Sequence, residues 1–212
     1  MHLDFPLSPL EVVVLVSGGG TTLANLLAKI DGGALNARVK LVISSNPTAR
    51  GIEIARCADV PTKVVDADAF ADTTAFSETL FDLCRDADPH LVVMGGFLKL
   101  VEIPADYAGR VMNIHPSLIP AFCGKGYYGL RVHQAVLDAG ATTTGCTVHF
   151  VDNQYDHGPI ILQRAVAVAE NDTPETLARR VFEAECEAYP EALRQFAAGR
   201  LSIVSSEGRD DP

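Results

Sequence analysis

Short apolar runs alternate with stretches of helical periodicity along almost the whole chain. Runs at residues 12–16, 39–44, 62–65, 91–95, 111–114, 145–151 and 160–168 read as strands, and stretches at 21–30, 49–58, 74–86, 130–139 and 174–198 read as helices. The early runs are continuously apolar rather than alternating, the mark of parallel strands covered on both faces. This order predicts an α/β fold with an open, twisted, mostly parallel sheet and right-handed crossovers. Residues 143–168 hold two strands with no helix between them, so the C-terminal strands are expected to run antiparallel. With no repeat and no low-complexity linker, the expected organisation is one domain over residues 1–204 and a flexible polar tail over 205–212.

Composition narrows the class. Hydrophobic residues make up 48% and charged residues 21% of the 212, enough apolar surface for a large core. A net charge of −10 argues against a nucleic-acid partner, which needs a basic footprint. It leaves room for a small phosphorylated ligand, because backbone amides at a helix start can hold one phosphate. The 5 cysteines are scattered, without a CxxC pair, so neither a metal site nor a disulfide framework is expected, and reduced thiols fit a cytoplasmic location. No apolar stretch approaches the roughly 20 residues of a membrane span.

Two segments carry candidate chemistry. The first apolar run leads into Ser17, Gly18, Gly19, Gly20, Thr21 and Thr22 and then a helix. Glycines allow a sharp turn and close approach to an anion, and the helix start offers free N–H groups. No lysine follows Gly20 as in a Walker loop, and Leu23 stands where a dinucleotide motif wants its third glycine. A tight β–α turn without a ligand is the alternative. In the second segment Asn113 and His115 alternate along one strand and so share a face, and Pro116 ends it. A carboxamide beside an imidazole can polarise a carbonyl and exchange protons near neutral pH. A histidine merely satisfied at a strand end is the alternative. Downstream, an acidic loop containing Asp152 and Asp156 precedes Gly158 and Pro159, and a carboxylate there would favour an imidazolium nearby. His149, flanked by apolar residues, reads as structural.

The stretch Asn113, Ile114, His115, Pro116, Ser117, Leu118, Ile119, Pro120, together with Val148, His149, Phe150, Val151, Asp152 and the later Asp156, Gly158, Pro159, Ile160, resembles the folate-dependent formyltransferase family. The likeness runs from Val12 to about Leu201 and is nearest to the branch that formylates glycinamide ribonucleotide. It implies a catalytic trio at Asn113, His115 and Asp156, with the substrate phosphate on Gly18, Gly19, Gly20, Thr21 and Thr22. Glu185 would contact the ribose. The donor, 10-formyltetrahydrofolate, would lie along Leu98, Lys99, Leu100, Val101, Asn113 and Asp152. The implied partners are small molecules only, with no metal, no nucleic acid and no membrane, for a monomer or a homodimer.

Three departures from the family pattern stand out. Thr22 replaces a usual asparagine, Thr73 takes the place of an arginine near the folate, and residues 121–129 form a glycine-rich loop longer than the family's. Lys125 in that loop is a candidate substrate contact. Relatives acting on transfer RNA are expected to carry a further C-terminal domain, and this chain's acidity suits that substrate poorly. Another amine acceptor, such as an amino sugar nucleotide, and a non-catalytic folate-binding module are the competing readings.

Overall fold

The computed structural model describes residues 8–201, so the tail expected at 205–212 lies outside the described residues. Chain order is β1 (Leu10–Val16), α1 (Thr21–Asp31), β2 (Ala37–Ser44), α2 (Arg50–Cys57), β3 (Thr62–Val64), α3 (Thr73–Ala87), β4 (Leu91–Met94), β5 (Val111–His115), α4 (Leu130–Asp138), β6 (Thr143–Phe150), β7 (Ile160–Ala167) and α5 (Pro174–Ala197). Each element expected from the hydrophobic pattern is present, with ends shifted by a residue or two. Two short 3-10 turns, Ala67–Ala69 and Ala105–Tyr107, were not anticipated, because three residues are too few to show a period.

The strands form one sheet in the order β3-β2-β1-β4-β5-β6-β7. The first five strands pair in parallel; β6–β7 is antiparallel, as the missing helix between those two runs implied, and β5–β6 is antiparallel as well although α4 lies between them. Continuous apolar strands make sense here because both faces are covered. Val12, Val14 and Val16 enter a core shared with α1 and α5, whereas Val13 and Leu15 enter a second core against α3. Each such buried side chain contributes about 1.5–3 kcal/mol. The chain turns opposite ways after β1 and β4, which opens a crevice at their carboxyl ends where ligands of such sheets bind.

Helix α5 is locked to that crevice by two contacts. The Tyr189 hydroxyl, fully buried, reaches the backbone oxygens of Met94 (3.0 Å), the last residue of β4, and Met112 (2.9 Å), within β5. Pro190 lies inside α5 and has no N–H for the Cys186 carbonyl one turn back. The Asn25 carboxamide of α1 donates to that carbonyl instead, at 3.0 Å, tying α1 to the α5 turn that carries Glu185. Among the described residues no helix is long and apolar enough to cross a membrane.

Candidate active site

At the carboxyl end of the sheet lies a cavity of about 730 Å³. Its walls come from the start of α1, the turn after β4, the end of β5, the loop 124–130, Tyr155 and Asp156, and one face of α5. Asn113 and His115 both border it. They share a strand face with Val111, while Met112 and Ile114 point the other way into the core against α5.

Antiparallel pairing sets His149 directly opposite Asn113 and Thr147 opposite His115. The Asn113 Nδ2 lies 3.3 Å from His149 Nε2. His149 Nδ1 lies 2.8 Å from the Phe150 carbonyl, which can only accept, so Nδ1 carries the proton and Nε2 is left to accept from Asn113. Burial lowers the pKa of His149 and keeps the ring neutral, outweighing the bond to Phe150 and the charge of Asp156. A neutral, fully buried imidazole thus orients the Asn113 carboxamide. This contact was missed in the sequence, where His149 read as structural, because strand register is invisible in an isolated apolar run.

His115 is held by the loop that follows it. Its Nε2 lies 2.9 Å from the Phe122 carbonyl, so Nε2 bears a proton. Its Nδ1 faces Asp156 Oδ2 at 3.4 Å. That same oxygen accepts the Gly124 backbone N–H at 2.9 Å. Asp156 adopts a left-handed backbone (φ 52), a conformation aspartate tolerates better than most residues. Behind the loop, Thr147 donates to the Ser117 carbonyl and accepts from the Ile119 N–H, while Ser117 donates to the Ala121 carbonyl. The long loop is therefore wired at its base to both His115 and Asp156.

The glycine turn after β1 divides its labour. A Cβ on Gly18 or Gly19 would meet nothing within 4 Å, and neither residue is among those that border the cavity, whose wall begins at Thr21. Gly20 differs from the sequence reading. It has φ 70, and a Cβ there would lie 2.6 Å from the Gly51 Cα, so this glycine serves close packing of α1 on α2. Gly20 caps α1 without a side-chain hydrogen bond, and Thr21 and Thr22 border the cavity. Ser17 joins the turn to its neighbours, bonding Ser45 Oγ at 2.7 Å and accepting the Leu98 N–H at 2.9 Å.

The remaining candidates separate. Leu98 borders the main cavity and also an adjoining hollow of about 330 Å³ that Lys99, Leu100 and Thr73 line. Lys99 pairs with Asp68 at 2.8 Å. Val101, expected among the donor contacts, has its side chain buried in the α3 core and borders neither space. Asp152 likewise borders neither; it accepts from the Gln154 N–H and lies 2.7 Å from His157 Nδ1, shaping its loop from behind. Glu185 does face the cavity, and burial pushes its carboxyl up to about 8. Lys125 reaches the cavity wall, as do Arg179 and Phe182 of α5, which the sequence did not single out. His133 of α4 is buried at the same wall, and burial followed by the charge of His115 lowers its pKa. Among the described residues no group of three or more histidine, cysteine or carboxylate side chains is arranged to hold a metal ion.

Chemically, the cavity joins a carboxamide, an imidazole with a carboxylate behind it, and an uncapped helix start. Such a set can stabilise an oxyanion, move a proton and receive an anionic group. Comparisons with known proteins agree with that description. The formyl transferase family profile matches residues 10–193. The chain is 38% identical to the chloroplastic phosphoribosylglycinamide formyltransferase of Arabidopsis thaliana over 90% of its own length and 66% of that protein's. It is 35% identical to phosphoribosylglycinamide formyltransferase of Escherichia coli (strain K12), covering 92% of this chain and 90% of that one. The crystal structure of glycinamide ribonucleotide transformylase 1 from Symbiobacterium toebii superposes with a TM-score of 0.87 at 41% identity, over 96% of this chain and 94% of that one.

Proposed function

Because the chain belongs to the formyl transferase family, we propose that it transfers a formyl group from 10-formyltetrahydrofolate to the amine of glycinamide ribonucleotide, a step of purine biosynthesis. The observation that carries this reading is the convergence of Asn113, His115 and Asp156 on one cavity that also receives the start of α1.

In this mechanism the acceptor amine attacks the formyl carbon, and the carbonyl electron pair moves onto oxygen. Asn113 meets that oxygen with the N–H its bond to His149 leaves free, since a carboxamide nitrogen has two. His115 contributes its Nε2–H, which is held by the Phe122 carbonyl and turns to the oxyanion when the reactants bind. Asp156 stands 3.4 Å from the other ring nitrogen, stabilises positive charge on the ring and takes part in removing the amine proton. Collapse of the tetrahedral centre returns the electron pair to the carbonyl and expels the folate nitrogen, which leaves with a proton. The donor fits the apolar side of the cavity, where Leu98 stands half exposed next to the adjoining hollow. The acceptor phosphate fits Gly18, Gly19, Thr21 and Thr22, and Glu185, protonated at neutral pH, can bond ribose hydroxyls.

The test is direct. Purified protein supplied with both substrates should produce formylglycinamide ribonucleotide together with tetrahydrofolate. Turnover of an amino sugar nucleotide without turnover of glycinamide ribonucleotide would reassign the acceptor, and folate binding without any transfer would make the protein a binding module.

A further inference from the structure

Charge is distributed unevenly in this molecule. The chain carries −10 overall, and Lys29, Lys40, Arg85, Lys99, Arg164 and Arg180 are each committed to a carboxylate. Two exposed cations on the cavity wall are not. Lys125 on the long loop and Arg179 on α5 form no ion pair or side-chain hydrogen bond among the described residues. The acids beside them do not cancel them. Asp156, turned to His115 and Gly124, sets one negative charge against two positive ones, and burial holds the Glu185 carboxyl up at about 8, so that it adds no full charge at neutral pH. The cavity is thus a positive spot on an acidic protein, the arrangement that draws in an anion.

Magnitudes say what the cations are for. A helix N-terminus carries only about half a positive charge. A phosphate monoester near pH 7 carries about −1.5 to −2. The start of α1 alone therefore leaves most of that charge unmatched, and two side-chain cations make up the difference. Both are suitably held. Lys125 directly follows Gly124, whose N–H is fixed by Asp156 at 2.9 Å, so its backbone is tethered to the reacting groups. Arg179 stands on the same α5 as Glu185, about 9 Å along the axis at 1.5 Å per residue. Its planar fork matches phosphate oxygens.

We propose that Lys125 and Arg179 are specificity-determining residues that clamp the phosphate of the acceptor together with the start of α1. This inference rests on the acceptor proposed above, and it gives the long loop a purpose: Phe122 and Gly124 hold His115 and Asp156, and the next residue, Lys125, brings in a cation that reads the substrate. An acceptor without its phosphate would be discriminated against at this point.

The experiment compares wild type with Lys125→Met, Arg179→Met and the charge-keeping Lys125→Arg and Arg179→Lys. Each methionine variant should raise KM for glycinamide ribonucleotide by about 10- to 100-fold, the worth of one charge-assisted hydrogen bond. KM for 10-formyltetrahydrofolate should stay unchanged. Inhibition by inorganic phosphate should weaken in parallel, and the charge-keeping variants should recover most of both effects. Thermal melting checks that each variant folds. Methionine variants that retain the wild-type KM and phosphate inhibition, in an enzyme active on glycinamide ribonucleotide, would overturn the clamp. If wild type does not use that acceptor, the proposed function has failed, and calorimetry with inorganic phosphate then decides the clamp alone: equal binding by wild type and both methionine variants refutes it.

Discussion

His149 lies directly across the β5–β6 pair from Asn113, with its Nε2 3.3 Å from the carboxamide nitrogen. The buried neutral ring sets which way that carboxamide points, and so which of its hydrogens faces the cavity. Replacing His149 by phenylalanine keeps the bulk and removes the acceptor. The expected loss is about tenfold in kcat, the usual weight of one hydrogen bond in positioning a reacting group. Acceptor KM should move little, and His149→Gln should recover part of the rate. Steady-state kinetics on the three proteins checks this, and a phenylalanine variant with wild-type kcat would show that Asn113 needs no such support.

Asp156 combines two duties that one substitution can separate. Its Oδ2 holds the Gly124 N–H and also faces His115. The asparagine side chain introduced by Asp156→Asn tolerates the left-handed backbone and can still accept from Gly124, so the loop should keep its form. What is lost is the charge, which faces His115 at 3.4 Å and His149 at 3.8 Å. The expected fall in kcat is about 10²- to 10⁴-fold, the range of general acid–base catalysis, with an unchanged circular dichroism spectrum. Near-normal turnover would remove Asp156 from the mechanism.

Glu185 makes stability depend on pH. In the folded chain burial holds its proton to about pH 8, whereas its ordinary value is 4.5. Between these values the folded state binds more protons than the unfolded one, so stability falls as pH rises through the window. Glu185→Gln removes this contribution. Urea midpoints of the variant should be flatter than wild type across the window and higher than wild type above about pH 8. Parallel curves would mean that the carboxyl ionises freely in the fold.

The glycine turn offers a contrast between neighbours. Gly20→Ala must strain a backbone at φ 70 and press a methyl against Gly51, at a cost of about 1 kcal/mol for the backbone and about 1–3 kcal/mol for the overpacking. In a chain of this size that lowers the melting temperature by about 5 °C or more. Gly19→Ala has open space and should melt like wild type, while raising acceptor KM by crowding the phosphate. Equal melting temperatures for both variants would contradict the packing seen at Gly51.

The amino-acid order by itself determined what depends on local periodicity and local chemistry. Uninterrupted runs such as Val12 to Val16 announced strands covered on two faces, and the missing helix before β7 announced antiparallel pairing. Alternation along one strand was enough to set Asn113 and His115 on a common face. Only the tertiary structure decided the rest, because it depends on pairing between segments far apart in the chain. Strand register set His149 against Asn113, thirty-six positions away. The fold of the long loop brought the Phe122 carbonyl to His115 and Lys125 to the cavity. Helix packing gave Gly20 its work against Gly51 and brought Glu185 and Arg179 to the same wall. A side chain's direction along its own strand follows from local geometry, but its partner across space follows from the whole chain's packing.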